Sequence, residues 1–97
     1  LANKLKAIAL LGGKCSACDY QLHPSALQFH HVGSDKDKHI SYLLHCSGKS
    51  QQLIAELDKC CLLCSNCHDA FHFGDLRLEF EKASLGFNVI RRSNDYV

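Results

Sequence analysis

Two pairs of cysteines carry the first chemistry in this sequence. Cys15-Ser16-Ala17-Cys18 and Cys64-Ser65-Asn66-Cys67 share the C-x2-C spacing. Such a turn sets two thiolates close enough to bind one zinc ion, and a second turn completes a closed tetrahedral site. The spacer residues are small and polar, as a tight turn needs. Cys61-x-x-Cys64 has the same spacing. Leu62 and Leu63 between those two suit a buried strand better than a turn, which favours pairing Cys64 with Cys67. Cys46, Cys60 and Cys61 then read as free thiols.

The histidines form a second group. His68 and His72 are four apart in a predicted helix, so both rings lie on one face and can chelate one ion. His30-His31 ends a predicted strand. Neighbours in a strand point to opposite faces. One of the two therefore faces a metal and the other approaches from the side, and spacing alone does not say which. A lone histidine is usually a surface or core residue. Two pairs bracketing a thiol scaffold favour a shared site. His23, His39 and His45 have no assigned role.

These residues need elements to position them. Leu1, Leu5, Ile8 and Leu11 have helical spacing, and Gly12-Gly13 ends that helix. Ala26 to Val32 reads as a strand, with Leu27, Phe29 and His31 on one face and Gln28 and His30 on the other. Residues 33–39 form a charged loop. Ile40 to Leu44 is apolar but too short to assign. Gln51 to Lys59 reads as a helix capped by Ser50, with Leu53, Ile54 and Leu57 as its buried stripe. Cys60 to Leu63 reads as a second strand. A helix is predicted from Cys67 or His68 to Phe73, ended by Gly74. Leu76, Leu78 and Phe80 alternate with Arg77, Glu79 and Glu81, which predicts a strand pairing with Phe87 to Ile90. The class is α+β, in a single domain over residues 1–97.

Composition sets the bounds. A chain of 97 residues makes one domain with a thin core. Its 46% hydrophobic and 22% charged content argues against disorder. Seven Cys and seven His indicate a small core that is stapled. An odd cysteine count, with no segment that reads as a secretory signal, favours metal over disulfides and a reducing, cytoplasmic setting. No apolar run approaches the ~18 residues that span a bilayer. A first residue of Leu rather than Met is compatible with a fragment of a longer protein.

Together, Cys15-x-x-Cys18, Phe29-His30-His31-Val32 and Leu62-Leu63-Cys64-Ser65-Asn66-Cys67-His68 with His72 resemble an HNH endonuclease of the ββα-metal (His-Me finger) type. The resemblance runs from about Leu10 to Phe73, and its motifs agree in both order and spacing. It implies a ββα-metal fold braced by a four-cysteine zinc, to which the residue patterning adds an N-terminal helix and a C-terminal hairpin. It implies that His31 is the general base, that His30 and His68 are ligands of a catalytic metal, and that His72 is an additional ligand. The chain departs from the family at the middle Asn, which helps orient the base. Lys59 stands about five residues before the third cysteine, where that Asn is common. Asn66 lies inside the second thiol pair and suits a helix cap.

The implied activity is metal-dependent hydrolysis of DNA phosphodiesters, double-stranded DNA being the expected partner. A neutral imidazole with a pKa near ~6.5 can take a proton from water at physiological pH. A divalent ion on His30, His68 and His72 would offset charge on the scissile phosphate. Mg2+, Mn2+, Ni2+ and Zn2+ are the candidates. Three imidazoles suit the transition ions, whereas magnesium prefers oxygen. The formal charge of +1 is not that of a strongly basic binder. Four thiolates and one zinc ion take it to −1, and a second divalent ion returns it to +1. Contact with DNA would then rest on local charge, at Lys36, Lys38 and Lys14 foremost, unless Asp35 and Asp37 merely balance the loop. A non-catalytic zinc module for nucleic acid or protein binding is the main alternative, and it leaves the paired histidines unexplained. A thiol redox protein is disfavoured by two thiol pairs without a βαβ pattern.

Overall fold

The computed structural model describes residues 2–33, 39–45 and 50–92. In chain order they form α1 (Ala2–Leu10), one 3-10 turn (Pro24–Ala26), β1 (Leu27–His31), α2 (Ile40–Leu44), α3 (Ser50–Leu57), β2 (Cys60–Cys64), α4 (Ser65–Phe73), β3 (Arg77–Lys82) and β4 (Phe87–Arg92). The architecture is a small α+β arrangement with two two-stranded antiparallel sheets. No helix among the described residues is long and apolar enough to cross a membrane.

The first sheet is the frame of the molecule. β1 runs antiparallel to β2 in the register Leu27↔Cys64, Phe29↔Leu62, His30↔Cys61 and His31↔Cys60. Every residue of β2 is buried. That explains its unbroken apolar run, because a strand covered on both faces shows no alternation. Ile8, Leu27, Leu62, Leu63 and four cysteines make one core cluster, and Ala7, Ile40, Leu57 and Cys60 make a second.

α4 follows β2 without a break. Cys64 is its N-cap, its Sγ accepting from the amide of Cys67 at 3.5 Å. The helix therefore starts at Ser65, two or three residues before the expected start, and Asn66 is an exposed residue of its first turn rather than its cap. Gly74 closes it in the left-handed conformation, at φ 86°. At that angle a β-carbon is strained, so glycine is the natural stop.

Expectations about three helices change. α1 turns Ala7 and Ile8 inward, while Leu5 is half exposed. The stripe rotates because small Ala7 fits closely against Ile40, Leu57 and Cys60. In α3, Ile54 faces out at 41% exposure and Glu56 is buried at 4% in its place. The carboxylate goes in because two nitrogen partners receive it there. α3 also takes in Ser50 as its first residue, so Ser50 is not a cap preceding the helix. Ile40–Leu44, too short to assign by pattern, is helix α2.

The C-terminal hairpin forms as expected, with β3 shifted one residue along from the expected strand and β4 running two residues further, and with Phe80 opposite Val89 and Glu79 opposite Ile90. Leu78, Phe80, Phe87 and Val89 pack on the first core cluster. One aspartate fastens the turn to the frame. Asp58 accepts from Lys82 Nζ at 2.6 Å and from the amide of Gly86 at 3.0 Å. These donors hold the Asp58 carboxyl below its usual range, the Lys82 bond being the largest cause.

Gly86 is the tightest point of this contact. It has φ +74°, and a β-carbon there would lie 2.6 Å from the Cys60 carbonyl oxygen and 2.8 Å from a Leu11 methyl. Gly86→Ala should therefore lower stability by about 3 kcal/mol, from left-handed strain and overpacking together. The shift of the urea unfolding midpoint reads this directly. An unchanged midpoint would mean that the hairpin is not seated as described.

Candidate metal centres

The first centre is built by two turns, one between α1 and β1 and one where β2 meets α4. Cys15 to Asp19 forms one, in which the Asp19 amide donates to the Cys15 carbonyl at 2.9 Å and Asp19 takes a φ of 67°. The Ser16 amide donates to the Leu62 carbonyl at 2.8 Å, which ties this turn to β2. The β2–α4 junction supplies the other turn. The sulfurs of Cys15, Cys18, Cys64 and Cys67 all lie within 4.8 Å of one another. Cys18 Sγ and Cys64 Sγ are 3.7 Å apart. Tetrahedral zinc with bonds of about 2.3 Å needs sulfurs about 3.8 Å apart. The four cysteines are positioned to bind one metal ion, and the spacing is consistent with structural zinc.

Electrostatics point the same way. Burial, and then the neighbouring Cys18, Cys64 and Cys15 thiols, push the Cys67 thiol up. Burial also raises Cys18. At Cys15 burial acts upward, but amide donors from Cys64, Ala17 and Cys18 offset it and hold the thiol below its ordinary value. A cluster that eases ionisation at Cys15 and resists it at Cys18 and Cys67 needs a cation to hold its thiolates together.

Cys61 belongs to neither turn. Burial, followed by repulsion from Cys60 and Cys15, pushes its thiol up to about 12. It is a neutral core residue at 1% exposure. Cys60 is buried as well, and its thiol donates to the Glu56 carbonyl at 3.3 Å. Cys46 lies outside the described residues. Cys61→Ala should keep the full metal content of the four-cysteine site and cost about 1 kcal/mol of packing. Metal analysis of the purified variant checks this, and loss of one equivalent would reassign the pair.

The second group lies where β1 meets α4. Gln28 and His30 share one face of β1, and His68 and His72 share one face of α4. One ring nitrogen from each of His30, His68 and His72 lies within 4.8 Å of the other two. The His68 and His72 Nε2 atoms are 3.0 Å apart. Nitrogens about 2.1 Å from one ion, at tetrahedral to octahedral angles, sit about 3.0–3.4 Å apart. His68 Nδ1 donates to Gln28 Oε1. That bond leaves the lone pair on Nε2, directed at His72, and holds the ring as an outer partner holds a metal-binding histidine.

The His30 ring is boxed in by Phe71 and Phe80, with centroids at 5.3 and 5.7 Å. Burial, followed by repulsion from His68, His72 and His31, holds its pKa down to about 4. Burial and then His72 lower His68, against an opposing pull from Asp69. Three imidazoles whose ring nitrogens converge are a donor set that could hold a transition-metal ion. His72 is exposed, so one side of the group is open to solvent.

His31 takes the other face of β1, away from this group. Its Nε2 is 2.8 Å from Glu56 Oε2, and Lys59 Nζ donates to Glu56 Oε1 at 2.9 Å. The side chains are 14%, 5% and 22% exposed for His31, Glu56 and Lys59. Sequence reasoning missed Glu56. Its one signal was an acidic residue next to Leu57 and three before Lys59, on what had to be the inner side of α3.

Among the lysines, Lys14 pairs with Asp19 at 3.4 Å, both well exposed. Lys36 and Lys38 lie outside the described residues. His23, His39 and His45 are exposed and outside both groups. Comparison of the chain with protein-family models, with curated proteins and with solved structures finds no match in any of the three.

Proposed function

We propose that this chain is a metal-dependent DNA endonuclease of the HNH, ββα-metal type. What carries the reading is the sharing of work across β1. His30 joins His68 and His72 on one face, and its neighbour His31 is anchored separately on the other. That is one ligand and one base from adjacent residues, as strand geometry permits.

In this reading the four cysteines hold zinc as a structural staple, and a reducing intracellular compartment keeps the thiols available. The three histidines hold the second ion. When bound, a divalent ion there supplies a Lewis acid that offsets charge on the scissile phosphate and the departing 3′ oxygen. His31 takes the proton of the attacking water. Gln28 keeps the His68 lone pair directed at the ion. Phe71 and Phe80 exclude water from behind His30 and fix its ring. Lys14, Lys36 and Lys38 provide phosphate contacts. Few such contacts give weak, largely sequence-independent binding by this domain.

The test is incubation of the zinc-loaded protein with supercoiled plasmid and Mg2+, Mn2+, Ni2+ or Zn2+ in turn. Conversion to nicked or linear DNA in at least one ion, stopped by EDTA, is the expected result. Intact plasmid under every ion would leave the non-catalytic zinc module as the better account.

A further inference from the structure

We propose that Glu56 is a positioning residue that fixes His31 as the Nε2–H tautomer, leaving Nδ1 as the basic nitrogen. The role of Nδ1 in catalysis rests on the endonuclease reading, whereas the tautomer does not.

An ionised carboxylate only accepts hydrogen bonds. Glu56 is 4% exposed, and a buried carboxylate is costly unless donors surround it. Lys59 Nζ donates to Oε1. Oε2, 2.8 Å from His31 Nε2, then requires that nitrogen to carry the hydrogen. A neutral ring with its hydrogen on Nε2 has its lone pair on Nδ1. α3 is itself held in the core by Leu57, fully buried one residue on. The Lys59–Glu56–His31 chain thus runs from a helix turn to the strand carrying the base. A carboxylate of this kind orients an imidazole and selects its tautomer. The Val32 amide donates to the Lys59 carbonyl at 2.8 Å, just past His31.

Glu56→Gln inverts the pattern at nearly constant shape. Lys59 Nζ holds the amide oxygen, so the amide NH2 faces His31 and Nε2 must accept. The ring hydrogen then moves to Nδ1, and the base is blocked. Nitrogen chemical shifts of the His31 ring, read at pH 8 in the metal-loaded protein, distinguish the two tautomers. The expected result is Nε2–H in the native protein and Nδ1–H in Glu56→Gln. With it, kcat for plasmid nicking should fall by at least 100-fold, while KM and the metal content stay unchanged. Glu56→Asp keeps the acceptor and should retain the Nε2–H form with part of the rate. An Nδ1–H form in the native protein would overturn the proposal, as would a tautomer unmoved by Glu56→Gln. If the native protein cuts no plasmid with any ion, the endonuclease reading fails, and the nitrogen spectrum alone decides the part played by Glu56.

Discussion

A Cys64→Ser chain is expected not to fold, and the native chain is expected to unfold when a strong chelator strips its four-cysteine site. Cys64 does three things at once. It offers a sulfur to the quartet, caps α4 through the Cys67 amide, and pairs with Leu27 at the end of the frame. A serine oxygen can still cap a helix. The variant therefore isolates the loss of the thiolate. Structural zinc contributes about 10–16 kcal/mol of apparent binding free energy, as large as the whole stability of a typical domain at about 5–15 kcal/mol. Much of the first core cluster is the cysteines themselves, beside Ile8, Leu27, Leu62 and Leu63. Loss of the ion leaves little to hold β2 and the first turn together. Circular dichroism through a chelator titration should show a cooperative loss of structure, restored by added zinc. An unchanged thermal transition after complete removal of the metal would show that the cysteines serve as core residues only.

His31→Ala should reduce plasmid cleavage by about 100- to 10,000-fold, the contribution of a positioned general base. Binding of the second ion should be retained, because His30, His68 and His72 stand on the opposite face of β1 and on α4. His68→Ala should differ. It removes a ligand and the bond to Gln28, so cleavage and second-ion binding should fall together. The contrast between these variants separates base from ligand. Equal loss of metal in both would put His31 among the ligands and undo the assignment.

The parts of this account that spacing could reach are those set by local geometry. C-x2-C turns, an i, i+4 histidine pair and a two-residue strand period are properties of neighbouring residues. The quartet Cys15, Cys18, Cys64 and Cys67 and the facing of Gln28 and His30 could therefore be read before any fold. What depended on distant partners could not. Glu56 is buried only because His31 and Lys59 receive it, and the rotation that brings it in turns Ile54 out to solvent. The α1 stripe shifted for the same reason, a close fit of Ala7 to another element. Helix α2 has no signal of its own, since its N-cap His39 makes no side-chain capping bond. Choosing Cys67 over Cys61 as the partner of Cys64 was a matter of residue character. The burial that keeps the Cys61 thiol neutral supplies the physical reason.

The most direct test counts divalent ions and measures plasmid nicking on one preparation. The account predicts two ions per chain at saturation, with nicking that appears as the second is bound and disappears in His68→Ala while the first remains. Saturation at one ion per chain, with no nicking under Mg2+, Mn2+, Ni2+ or Zn2+, would contradict it.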